Sequence, residues 1–168
     1  MKSQTRRLAV CSIFAALGVV LMLLGSFLGL GMYMAPMFVG WCLIPIRNKY
    51  GVKYQTMLWI VIGLLSAILV PNIEQNLMFI FLFGWYPILR PTLQKLPRFL
   101  RLGAKLLLFN VVVITLEAVV ITLLVPESLE TWMAILLIGM GNATFLFYDF
   151  AFPVNDILSD RYLSRLLH

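Results

Sequence analysis

The chain has 168 residues, of which 62% are hydrophobic and 12% charged, and a mean hydropathy of +0.97; a soluble globular domain carries about 25% charge. At about 20 residues per membrane-crossing helix, the apolar runs supply about six crossings, which leaves no length for a soluble catalytic module such as a built-in ATPase. The net charge of +6 does not point to nucleic acid, because the Lys and Arg residues flank apolar runs, where they set membrane orientation.

The first run, Leu8 to about Leu28, follows Lys2, Arg6 and Arg7. It lacks the short core and small-residue cleavage site of a signal peptide, so a retained helix is expected. Ala9, Ser12 and Ala16 recur at helical spacing along it, beside Cys11, Ala15 and Gly18. Small residues in such rows let another helix approach closely, within this chain or in a partner. The Gly-rich stretch from Gly25 to Gly31 reads as a tight outer turn. The second run, about Leu30 to Ile46, contains Pro36 and ends at Pro45 and the basic cluster Arg47, Lys49 and Lys53.

The third run, Tyr54 to Val70, stops at Pro71-Asn72, and Asn72 to Asn76 is expected as a second outer loop, with Glu74 and Gln75 inside it. The fourth run, Leu77 to Leu89, is short for a span and reads as a tilted or partly re-entrant helix. Between Arg90 and Lys105 the residues Leu93, Leu96, Phe99, Leu100 and Leu102 alternate with Lys95, Arg98 and Arg101. Such a basic amphipathic loop lies on anionic lipid or serves as a docking surface. The fifth run, about Ala104 to Val125, ends at Pro126, and the sixth, about Trp132 to Phe150, ends before Pro153. The tail through Asp156, Asp160, Arg161 and Arg165 reads as a short amphipathic helix. Trp41, Trp59, Trp85 and Tyr86 are expected in an inner aromatic belt, and Tyr33 and Trp132 in an outer one.

Lys and Arg concentrate on the cytoplasmic side. With an inside N-terminus and six crossings, all 13 basic residues fall inside, and the outer loops carry only Glu74, Glu127 and Glu130. The fold expected is therefore all-α: one polytopic membrane domain, 1–168, with both termini cytoplasmic, in a bacterial plasma membrane. Its six helices cover approximately 8–28, 30–46, 54–70, 77–89, 104–125 and 132–150.

No catalytic chemistry is legible. Serine-elbow, zinc-helix and phosphate-loop motifs are absent, and the only histidine is His168. Cys11 and Cys42 have no ligand-spaced neighbours and read as small hydrophobes. Neither a metal nor a cofactor is expected, and the chain does not read as an enzyme. Polar residues in apolar helices remain the functional candidates. Glu117 in the fifth run has no basic residue at its depth, so it either lines an outward polar pocket or stays protonated against a neighbouring helix. Asn142, among Gly139, Gly141 and Ala143, and Asn110 read as amides that bond between helices. Asn72, Glu74, Gln75 and Asn76 cluster at the outer mouth of any such pocket, where Tyr33 is a further contributor, unless they form only a solvated loop.

The size, the six helices and the opening Thr5-Arg6-Arg7-Leu8-Ala9 with Ser12-Ile13-Phe14-Ala15-Ala16-Leu17 resemble the substrate-binding S components of energy-coupling factor transporters. The resemblance implies Ala9, Ser12, Ala15 and Ala16 as a strip facing a transmembrane coupling subunit with its ATPases, and a small vitamin-like ligand bound near the outer face. Phe83-Gly84-Trp85-Tyr86-Pro87-Ile88 and Tyr148-Asp149 also resemble small six-helix membrane proteins of Gram-positive anaerobes, which supplies no function. Solute capture is thus the first expectation, through Glu117, Asn72, Glu74, Gln75 and Tyr33. The alternative is a non-transporting scaffold of the cell envelope with partners on the Arg90 to Lys105 segment.

Overall fold

Runs this apolar have one economical backbone solution, the helix, in which each N–H and C=O finds its partner within the same segment. The computed structural model describes residues 2–28, 31–123 and 131–158. Helix α1 spans Lys2–Leu28, α2 Gly31–Tyr50, α3 Val52–Leu69, α4 Ile73–Met78, α5 Tyr86–Leu93, α6 Arg98–Leu123 and α7 Thr131–Leu158, with a π-helical turn at Phe79–Phe83. No strand occurs among the described residues. Glu127, Glu130 and the tail from Asp160 to Arg165 lie outside them.

Among the described residues, three stretches are long and apolar enough to cross a membrane: Gln4–Leu28, Val52–Leu69 and Phe99–Val119. Only 33%, 28% and 22% of them is buried within the chain. Their remaining faces, with Ile13, Leu64, Ile68, Leu107 and Val111 well exposed, suit a lipid surrounding better than water.

The described residues group into two units, 1–88 with 151–168, and 89–150. The first is built on α1, α2 and α3, each of which packs against the other two. Its core follows helical spacing: Ala15, Val19 and Met22 on α1, Ala35, Val39, Leu43 and Ile46 on α2, and Leu58 and Ile62 on α3. Gly25 allows α1 and α2 to approach closely, because a Cβ there would strike the Cβ of Ala35. Gly18 faces Ile62 and Val39 in the same way, with Cβ distances of 2.7 and 3.2 Å.

The expected inner loop after the second run is reduced to one residue. α2 continues through Pro45 to Tyr50, and α3 begins at Val52. Gly51 makes the break with φ 92°, a left-handed conformation that favours glycine, and its N–H donates to the Arg47 carbonyl at 2.8 Å.

The fourth run also differs from expectation. Helix begins at Ile73, inside the stretch read as a loop, because Asn72 caps it by accepting from the Gln75 N–H at 3.0 Å. The π turn then widens the coil, closed by Gly84 N–H to the Phe79 carbonyl at 2.8 Å. The chain bends at Gly84-Trp85, where the Trp85 indole donates to the Phe81 carbonyl. Tyr86 is not a belt residue: it is fully buried, with its ring edge-on to Phe152 at 6.1 Å.

In the second unit the Arg90 to Lys105 segment is mostly helical, with its break at Gln94 to Pro97. Phe109 of α6 stacks on Phe145 of α7 at 4.6 Å. Pro153 does not end the last helix, which continues to Leu158.

Candidate functional site

The polar residues after Pro71 form a built cluster in the first unit. Gln75 is 1% exposed and donates its amide to the Met22 carbonyl of α1 at 2.7 Å, with the Met22 sulfur at 3.6 Å. Its Nε2 lies beside Gly25, where α1 and α2 approach closely. Asn76, also buried, donates to the Val70 carbonyl at 3.1 Å, while its Oδ1 is buried without a hydrogen-bond partner. Glu74 is half-buried in the first turn of α4, and Tyr33 half-buried near the start of α2. Asn72, Glu74, Gln75 and Asn76 are thus brought together by one turn of helix and tied to α1 rather than left as a solvated loop. A buried acceptor left open costs about 1–3 kcal/mol, so Asn76 Oδ1 is a place where a bound polar group adds stability.

Glu117 belongs to the second unit. It is half-buried on α6, between the buried Leu116 and the exposed Ala118, and it has an interaction of its own. Asn110 and Asn142 pair reciprocally, Nδ2 to Oδ1 at 2.8 and 2.9 Å, and each also donates to its own helix, at the Leu106 and Ile138 carbonyls. All four polar atoms of the two amides are satisfied, which is the interhelical role the sequence indicated for them.

The strip on α1 divides. Ala9, Ser12 and Ala16 are exposed, whereas Ala15 is 7% exposed and belongs to the core. The Ser12 hydroxyl donates to the Leu8 carbonyl at 3.0 Å. Between α1 and α3 lies an apolar cavity of about 140 Å³, lined by Cys11, Ser12 and Ala15 on one side and Tyr54, Leu58 and Val61 on the other.

Two features escaped the sequence reading. Asp149 Oδ1 accepts from Arg90 Nε at 3.0 Å and Oδ2 from Lys105 Nζ at 2.5 Å, with the cations 8% and 6% exposed. Arg90 and Lys105, read as ends of a basic surface loop, therefore point inward. The available signal was Asp149 itself, the one charged residue between Glu130 and Asp156 in the sequence. The second feature is Gln55 on α3, fully buried, with neither amide atom hydrogen-bonded. Its spacing to Leu58 and Ile62 marked it as a polar residue on a core face.

No protein-family model, curated protein or solved structure matches the chain.

Proposed function

We propose that the chain is an integral membrane protein of six crossings with both termini cytoplasmic, which binds a small solute from outside and relies on a separate coupling subunit and ATPases for uptake. In this reading it resembles the S components of energy-coupling factor transporters. The observation that carries it is the buried amide cluster at Asn72 to Asn76, with an acceptor, Asn76 Oδ1, left open. The cluster sits at the end of the helices remote from Arg6, Arg7, Arg47, Lys49 and Lys53, so the six-crossing reading puts it outside. Solute contacts are assigned to Asn72, Glu74, Gln75 and Tyr33. Ala9, Ser12 and Ala16 then face the coupling subunit, with Ala15 supporting them from the core.

Purification from native membranes in mild detergent, followed by mass spectrometry of proteins and small molecules, tests this. Recovery of a coupling subunit with paired ATPases and a retained solute, lost in Asn76→Leu but not in Phe99→Ala, is the expected result. Recovery of the intact protein with neither would overturn it.

One observation favours a second reading, a scaffold. Phe99, Leu100 and Leu102 are 92%, 63% and 52% exposed beside Arg101, a basic amphipathic surface on which partners or anionic lipid dock. Cross-linking separates the two: contacts through Ala9 and Ser12 belong to the transporter, contacts through Phe99 to the scaffold.

A further inference from the structure

We propose that the cavity between α1 and α3 seats an acyl chain of an anionic phospholipid, with its phosphate against Arg7 and Lys53. The proposal rests on the reading of these two helices as membrane-crossing. The cavity offers nothing to a polar solute: its lining is aliphatic apart from Cys11, Ser12 and Tyr54, and the Ser12 hydroxyl already donates to Leu8. Leu8, Met57 and Val61 on its rim are 53%, 48% and 42% exposed, so it opens sideways, toward lipid rather than toward either aqueous phase. A dry cavity of on the order of 150 Å³ holds a guest as large as benzene, so one of about 140 Å³ takes a segment of the acyl chain, the rest of which lies along the open rim in the bilayer.

What selects a phospholipid over another apolar guest is the end of the groove. Arg7 lies over the Tyr50 ring at 6.0 Å, and Tyr50 contacts Tyr54, a cavity residue, at 5.9 Å between ring centroids. Lys53, next to Tyr54, is exposed, as is Arg6. Because Arg7 is level with Tyr50 and Gly18 with Ile62, α1 and α3 run in the same direction, and both bring their positive N-terminal ends to this side. No Asp or Glu precedes Glu74 in the chain, so Arg7 and Lys53 meet no carboxylate from α1, α2 or α3. From Arg7 to Ala15 the helix rises about 12 Å, close to one leaflet's share of a hydrocarbon core about 30 Å thick. Cations and tyrosines at headgroup depth above an apolar slot of that length match an anionic lipid at both ends.

The test uses the full-length protein in non-ionic detergent, with phosphatidylglycerol or phosphatidylcholine of identical chains added and retention read by native mass spectrometry. Two cations at the headgroup predict a preference for phosphatidylglycerol of about 30-fold at low salt. Arg7→Gln with Lys53→Gln should abolish the preference while leaving chain binding, and Val61→Trp, which fills the groove from its rim, should lower retention of both lipids. If Val61→Trp does not fold, Met57→Trp on the same rim replaces it. A photo-reactive residue at position 61 should capture lipid; capture of protein with no lipid would overturn the assignment. So would an unchanged preference in the Arg7/Lys53 variant. Protein that resists alkaline extraction from membranes yet shows no lipid preference loses only this site, whereas protein released by alkali loses the membrane reading with it.

Discussion

Asp149 holds two cations, Arg90 and Lys105, in a place with little water. A buried charge without its partner is far more costly than a buried pair, and removing one partner destabilises by about 3–5 kcal/mol. Asp149→Asn is therefore expected to lower stability by about that amount, read from thermal unfolding in detergent. Adding Lys105→Met should restore part of the loss, because one stranded cation replaces two. The Asn110–Asn142 pair is milder. Either Asn→Leu change alone should cost about 1–2 kcal/mol, since each orphans the other amide, and the double variant should cost less than the sum of the two. A strictly additive cycle would show that the reciprocal bonds contribute nothing as a pair. Asn142 was legible because small neighbours around a lone amide in an apolar run leave few other uses for it, and Asn110 because it is the one amide in its own apolar run. Asp149 was not, because its partners lie far away in sequence and each looked like an ordinary surface cation.

At the scale of elements, hydrophobic runs and prolines located the helices but misplaced their ends. The positive charges at Arg47, Lys49 and Lys53 read as a loop, yet α2 and α3 carry them on helix, since a turn needs only Gly51. Asn72 to Asn76 read as a loop for a similar reason: polarity was taken as exposure, whereas Asn72 caps a helix and the buried Gln75 amide donates to the Met22 carbonyl of α1. The π turn left no sequence signal, as Phe79–Phe83 is a plain apolar run. It has a consequence that is measurable. The wide turn takes up one residue more than an α turn, so deleting Phe81, which is 50% exposed, would restore an ordinary α-helical ladder and leave Tyr86 and Arg90 facing as before. The deletion variant should therefore keep its cooperative unfolding transition, whereas an alanine inserted after Phe81 would turn everything after it by about 100° and should abolish that transition.

For the whole molecule, an all-α chain with long apolar helices was evident from composition, because few charges and long runs allow little else. The path of the chain through a membrane rests on where the cations lie, and it makes a sharp prediction. In a Cys11→Ser/Cys42→Ser background, a cysteine at Asn72 should react with an impermeant maleimide added to intact cells. One at Lys49 should react only after lysis, and the reverse pattern would invert the proposed orientation. The candidate site was only partly visible in advance: residues close in sequence, Asn72 to Asn76, form a cluster, while Glu117 is distant along the chain and belongs to the second unit. The one-residue link at Gly51 bears on motion. Two helices joined by a single residue, and packed with α1 along their length, have almost no slack for hinging between them. On the proposed solute-binding reading, a rearrangement that admits the solute therefore has to carry α1, α2 and α3 together as a rigid body, with the moving joints placed elsewhere in the chain.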